Sequence, residues 1–437
     1  MGQVVEPSES GTQAVPRVAP GAPLRERLAR ARVRLAAADW LWSPLLAFVI
    51  SRLAIVLVAY LSGPLLAESP NITPYHIRPD NLILDTFGSR WDTGFYLSIA
   101  TEGYRYEGVP LPSVAFFPLF PLLIWALTPF TGDPLIAGLL IANAALLGAA
   151  ILLHRLTADE FGPDVAARAT WYLLIFPSAL FGSAIYSESL FLLLAIGSLW
   201  MARRGHWGLA GALGAAAALT RLVGVLVAVL LLVEWWQQRR ARTAVGDAAE
   251  AAPPAEPAPA ARPGLAARPG LAALLAPAAV PLGTAAYMTY LQLTFGDPLA
   301  FAHAAAVWER EPESPLTMVA HLLRAPDEGW GAALAAGRLP LDDWLDVLTV
   351  LGVLALGLAL LARRRWSEGL FVALGALLPL SSGLLMSQRR YVWVLFPIYI
   401  LLARWGARPW VDRAITALFL SALALFTALF ANWYWVA

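Results

Sequence analysis

The chain has 437 residues, 59% hydrophobic and only 14% charged, with a mean hydropathy of +0.63. Soluble domains carry roughly 25% charged residues, and the apolar runs here are continuous rather than alternating, so the composition excludes a soluble fold and a β-barrel and leaves an all-α polytopic membrane protein. A net charge of +1 with no basic patch interleaved with aromatics argues against a nucleic-acid partner, and the absence of Cys rules out disulfides, iron–sulfur clusters and Cys-ligated zinc.

Every basic residue is Arg, and Ala, Leu, Gly and Pro are abundant, a codon bias that points to a GC-rich bacterial genome and the bacterial cytoplasmic membrane. In chain order, residues 1–40 are polar and rich in Pro, Ala and Arg, and read as a disordered cytoplasmic tail rather than a signal peptide. Residues 41–242 form an N-terminal transmembrane module with expected spans at 41–66, 134–154, 166–183, 187–202, 207–220 and 222–236. Its external loop, 67–133, contains "FFPLFPLLIWALTPF" at 116–130, apolar but short and holding three prolines. If that segment crossed, Arg203, Arg204, Arg239, Arg240, Arg363, Arg364 and Arg365 would move outside. The positive-inside rule therefore makes it re-entrant or interfacial.

An Ala/Pro-rich cytoplasmic linker follows at 243–270. Residues 271–437 form a C-terminal transmembrane module with expected spans at 271–292, 344–362, 369–386, 391–405 and 411–433, and an external loop at 293–343. The count is eleven spans with amphipathic external helices, the N-terminus cytoplasmic, and every unusual polar cluster outside. No internal repeat stands out, which weakens a transporter built from repeated halves.

The most unusual stretch is "SRWDTGFYLSIATEGY", Ser89 to Tyr104. From Trp91 onward its aromatics recur at helical spacing, which predicts a short helix at the membrane surface. Asp92 has two readings. Ser89-Arg90-Trp91-Asp92 fits a capping box, with Asp92 satisfying a backbone N–H. Alternatively, a carboxylate on an external membrane-facing loop is a general base for an acceptor hydroxyl, with Arg90 holding it ionised or meeting a lipid phosphate.

This stretch, followed closely by "FFPLFPLL", resembles the PIG-V type of mannosyltransferase, the GPI mannosyltransferase II family and its bacterial relatives. "FPSALFGSAIYSESLFLLLA" (176–195), "ALTRLVGVL" (218–226), "GDPLAFAHAAAVW" (296–308) and "RRYVWVLFPIYILLA" (389–403) agree in order, so the resemblance covers most of residues 45–405. It implies a GT-C fold, a catalytic Asp on the first external loop, a polyprenyl-phosphate mannose donor, and transfer with inversion. The catalytic carboxylate falls on Asp92.

Such chemistry needs cations for the departing phosphate. Arg389 and Arg390, at the external end of a span, fit that role, against interfacial snorkelling as the plain alternative. Arg221 lies between two apolar spans, where an Arg is a functional candidate by default; Arg52, inside the first span, is a weaker one. Glu188 in "YSES" reads either as a carboxylate favoured at a helix N-terminus or as an acceptor-binding or secondary acid/base group. His303 reads as a structural hydrogen-bonder or as a phosphate or sugar contact. Five scattered His argue against a metal cage, so no cofactor is expected, which leaves open a divalent cation shared by Asp92 and the donor phosphate. The expected partners are the polyprenyl-phosphate-sugar donor, a glycan, glycolipid or protein acceptor, and membrane lipids. The rival function is a lipid or glycolipid flippase, in which the Arg residues line a path for an anionic lipid.

Overall fold

The computed structural model describes residues 39–70, 79–250, 269–308, 329–337, 341–380 and 387–436, with the single positions 314, 317 and 320. Nearly all of the expected tail 1–40, most of the linker 243–270 and the middle of the loop 293–343 lie outside the described residues. Every regular element among the described residues is helical. The first half holds α1 (Asp39–Ser62), α2 (Leu82–Gly88), α3 (Thr93–Glu102), α4 (Leu119–Thr131), α5 (Pro134–Phe161), α6 (Pro163–Ile175), α7 (Glu188–Arg203), α8 (Trp207–Thr220) and α9 (Val227–Glu250). The second holds α10 (Leu275–Phe295), α11 (Ala300–His303), α12 (Trp330–Ala335), α13 (Leu341–Ala362), α14 (Trp366–Leu380), α15 (Gln388–Trp393), α16 (Pro397–Trp405) and α17 (Pro409–Ala431).

Six helical segments among the described residues are long and apolar enough to cross a membrane: α1, α5, α13, α17, and the segments Leu222–Ala241 and Leu271–Phe295, in which a 3-10 turn leads into α9 and α10. Four of the other five expected spans correspond to α6, α7, α8 and α16, helices of 9 to 16 residues, and the fifth to α14, described as far as Leu380. At 1.5 Å per residue even the longest of the four reaches only about 24 Å, short of a hydrocarbon core of about 30 Å. The discrepancy has local causes. Pro177 ends α6 by disfavouring helical geometry at Phe176, and Pro397 fixes the start of α16. Apolar composition does not distinguish a helix facing lipid from one wrapped in other helices: α7 buries most of its side chains.

The segment expected to be re-entrant is α4, 13 residues packed beside α3 and α5. Two of its three prolines cost little because Pro118 is the N-cap and Pro121 lies in the first turn, where no intrahelical N–H partner exists; Pro129 falls near the C-terminal end of the helix. The two expected modules pack as one body, α8 along α10 and α9 against α14. Close approach of α8 to α10 depends on Gly283, where a Cβ would stand 2.1 Å from the Ala215 carbonyl oxygen. At the Arg203 end of α7, Arg203 and Arg365 share Glu160 and Glu368, and Arg203 also reaches Glu234, an ionic knot joining α5, α7, α9 and α14. The opposite end of α7 carries the site.

Candidate active site

Asn81 caps α2 by accepting the Ile83 and Leu84 N–H groups at 3.0 and 3.1 Å. The helix ends at Ser89, whose hydroxyl turns back to the Asp85 carboxylate and carbonyl at 2.8 and 2.7 Å. Arg90 follows Ser89 inward, 1% exposed, donating to Asp85 Oδ2 at 2.7 Å with its guanidinium 4.5 Å from the Trp433 ring. The capping box therefore does not form: Ser89 closes the preceding helix, and the Asp92 side chain makes no capping bond although Asp92 is the N-cap of α3. Arg90, expected at the donor phosphate, is instead enclosed with Asp85, whose carboxylate compensates its buried charge.

Between them Trp91 adopts a left-handed φ of 56°, a conformation that costs a bulky residue on the order of 1–3 kcal/mol. That turn sends the Asp92 carboxylate toward Arg390, whose Nη1 donates to Asp92 Oδ2 at 2.6 Å. The Asp92 backbone N–H donates to the Tyr186 hydroxyl at 3.3 Å. Arg390 Nε also lies 3.4 Å from Glu188 Oε1, and the same oxygen meets Arg221 Nη1 at 2.7 Å. Arg221 sits in extended backbone at the break between α8 and the 3-10 turn before α9. Its Nη1 also donates to Ser187 Oγ at 3.1 Å, and that hydroxyl pairs with the Tyr96 hydroxyl at 2.9 Å. Burial, reinforced by the Glu188 charge, pushes the Tyr96 phenol above its ordinary range, so it stays a neutral hydrogen-bonding group.

These groups form the polar end of a cavity of about 490 Å³. Asp92, Tyr96, Ser187, Arg221 and Arg390 line it there, while Phe116, Phe117, Leu222, Val223, Phe301 and Leu378 make much of the rest apolar. Glu188 is fully buried beneath the two guanidiniums. Its position suits an anchor for both Arg residues.

Two further candidates stand outside the cavity lining. Arg389 Nε donates to Asp346 Oδ1 at 2.7 Å and its Nη2 to Asp342 at 2.5 Å, so it pins α15 to α13. His303 Nδ1 lies 2.7 Å from Asp297 Oδ2, which also accepts the Tyr106 hydroxyl at 2.8 Å. The His303 bond, the leading cause, holds the Asp297 carboxyl below its ordinary range. Arg52, the weaker candidate, donates to the Leu174 and Ala179 carbonyls at 2.8 and 2.9 Å, satisfying the end of α6 and the turn after it.

Sequence reasoning missed Tyr96, Ser187, Asp346 and Trp435. Ser187 lies within the "YSES" motif, and Asp346 is a carboxylate inside an expected span, a signal that a partner is needed there. Trp435 had no distinguishing signal among 18 tryptophans. Among the described residues no group of three or more His, Asp or Glu is arranged to hold a metal ion.

Residues 57–235, which include Asp92, Glu188 and Arg221, match the family model described as mannosyltransferase (PIG-V). Across this stretch, less than half of the chain, the sequence is similar to the PIG-V mannosyltransferases. GPI alpha-1,6-mannosyltransferase 2 of Cricetulus griseus is 33% identical over 184 residues, 39% of this chain and 35% of that protein. The Mus musculus protein of the same name is 34% identical over 166 residues, 35% of this chain and 33% of that protein. GPI mannosyltransferase 2 of Cryptococcus neoformans is 28% identical over 155 residues, 33% of this chain and 36% of that protein. The match thus spans about a third of the length of these curated relatives. The archaeal oligosaccharyltransferase AglB from Archaeoglobus fulgidus, solved with an inhibitory peptide and a dolichol-phosphate, covers 88% of this chain and 56% of its own at 12% identity and a TM-score of 0.38, a likeness too distant to carry an argument. Arg390 and Trp435 line the cavity from outside the matched stretch and outside residues 41–242.

Proposed function

We propose that the protein is an inverting glycosyltransferase of GT-C type that moves mannose from a polyprenyl-phosphate donor to a lipid- or protein-linked acceptor on the extracytoplasmic face. The observation that carries this reading is the pairing, at one end of a largely apolar cavity, of a carboxylate with two guanidiniums held on a common buried anchor. A prenyl chain suits the apolar part and its phosphate suits Arg221 and Arg390. Mannose as the sugar rests on the family.

In this reading Asp92 accepts the proton of the acceptor hydroxyl as its oxygen bonds to the anomeric carbon. The bond from that carbon to the phosphate oxygen breaks, its electron pair leaves with the polyprenyl phosphate, and the anomeric centre inverts. Arg221 and Arg390 stabilise the charge that develops on the phosphate. Because Arg390 already pairs with Asp92, a phosphate bound beside it competes for that guanidinium. No metal enters this scheme, and transfer is expected to persist in EDTA; loss on chelation with recovery on adding a divalent cation would reject that part of it.

The test is transfer of labelled mannose from polyprenyl-phosphate-mannose in membranes, comparing the wild type with Asp92→Asn. The substitution keeps size and removes the base; a general base contributes about 10²–10⁴-fold, so loss on that scale is expected. Equal transfer by both proteins rejects Asp92 as base. No transfer by a well-expressed wild type, with movement of the lipid across vesicles, moves the reading to a flippase.

A further inference from the structure

One wall of the cavity comes from a segment that no motif singled out. After α17 ends at Ala431, the chain folds back toward the Arg90-Trp91-Asp92 turn. Asn432 donates from Nδ2 to Ser62 Oγ at 3.1 Å, and its carbonyl accepts the Ser69 N–H at 2.9 Å. Trp433 takes a left-handed φ of 66° and is fully buried, 6.4 Å from Trp91 and over Arg90. The Tyr434 N–H returns to the Leu429 carbonyl at 3.0 Å. These restraints deliver Trp435 to the cavity lining, edge-on to Trp91 at 5.3 Å and with its ring 5.3 Å from the Arg390 guanidinium carbon.

Two bulky residues in left-handed backbone therefore face each other, and each precedes or nearly precedes a cavity residue: Trp91 comes before Asp92, and Trp433 lies two before Trp435. Such conformations persist only where the surroundings enforce them, and they cluster where a side chain must be aimed. Trp433 is fully buried, and Trp435 packs against the core with part of its ring. Trp435 is only partly buried and sits beside the carboxylate–guanidinium pair.

We propose that Trp435 positions the transferred hexose, its ring forming an apolar wall against the C–H face of the sugar while the sugar hydroxyls face Asp92 and Arg390. The proposal rests on the glycosyltransferase reading. It assigns to Trp435 a contact with the sugar and none with the phosphate, which is left to Arg221 and Arg390.

Binding separates the two. Full-length protein in nanodiscs is titrated with polyprenyl-phosphate-mannose and, separately, with polyprenyl phosphate, using the wild type, Trp435→Ala and Trp435→Phe. The Ala variant is expected to bind the mannose-bearing lipid about tenfold more weakly, the upper end of what an aromatic contact contributes, and polyprenyl phosphate as the wild type does. The Phe variant, which retains a ring, is expected to recover much of the selective loss and covers the case in which Ala does not fold. Equal weakening toward both lipids, or no change toward either, overturns the sugar contact while leaving the functional reading in place. A wild type that binds neither lipid overturns the functional reading and this proposal with it.

Discussion

Arg389 and Arg390 are adjacent, yet they face different partners. Successive residues on a helix point about 100° apart, so α15 turns Arg389 to Asp346 and Asp342 and Arg390 to Asp92 and Glu188. The difference predicts unequal consequences. Arg390→Lys places a single ammonium where a planar fork serves two carboxylates, and is expected to raise the donor KM by at least about tenfold, read in the mannose-transfer assay. Glu188→Gln removes the anchor of both guanidiniums; breaking a buried pair from one side costs about 3–5 kcal/mol, so a lower unfolding temperature in detergent should accompany the loss of transfer. His303→Ala, outside the cavity lining, is expected to leave transfer within about twofold, a change under roughly half a kcal/mol; a large kcat loss would place His303 back in the chemistry.

At the scale of elements, the site depends on breaks in helices. Arg221 reaches Glu188 because α8 stops and a 3-10 turn intervenes, and Arg390 reaches Asp92 because α15 is a six-residue helix separated from α16. A hydropathy profile bridges such interruptions, since the residues on both sides remain apolar. The close contact of α8 with α10 holds Arg221 in register. Gly283→Val puts side-chain atoms into the Ala215 carbonyl, and overpacking of this kind costs about 1–3 kcal/mol. A reduced unfolding temperature is expected, with transfer weakened in the fraction that folds. An unchanged unfolding temperature would mean that the two helices part without cost.

For the whole molecule, much of the outline was legible in the chain. Continuous apolar runs gave the helical membrane class, and the Ser89–Tyr104 stretch gave a short helix, observed at Thr93–Glu102. Asp92, Glu188, Arg221 and Arg390 were all singled out, and they meet in one cluster although Asp92 and Arg390 are 298 residues apart. The roles expected of Arg90, Arg389 and His303 were not matched by their positions, because a charged side chain names a need for a partner without naming which partner meets it. Asp85, Asp346 and Asp297 are those partners.

What the sequence by itself determined is therefore local and compositional: which segments are too apolar for water, where Pro and polar residues interrupt them, and which unusual charges are too costly to bury unpaired. Only the tertiary structure decided which charges pair with one another and which border the cavity, that four apolar helices are too short to cross as single rods, and that Trp435 in the Asn432–Val436 segment supplies a wall beside Asp92. The physical reason is that burial free energy depends on composition, whereas an ion pair or a cavity wall depends on directions in space that helix packing alone sets.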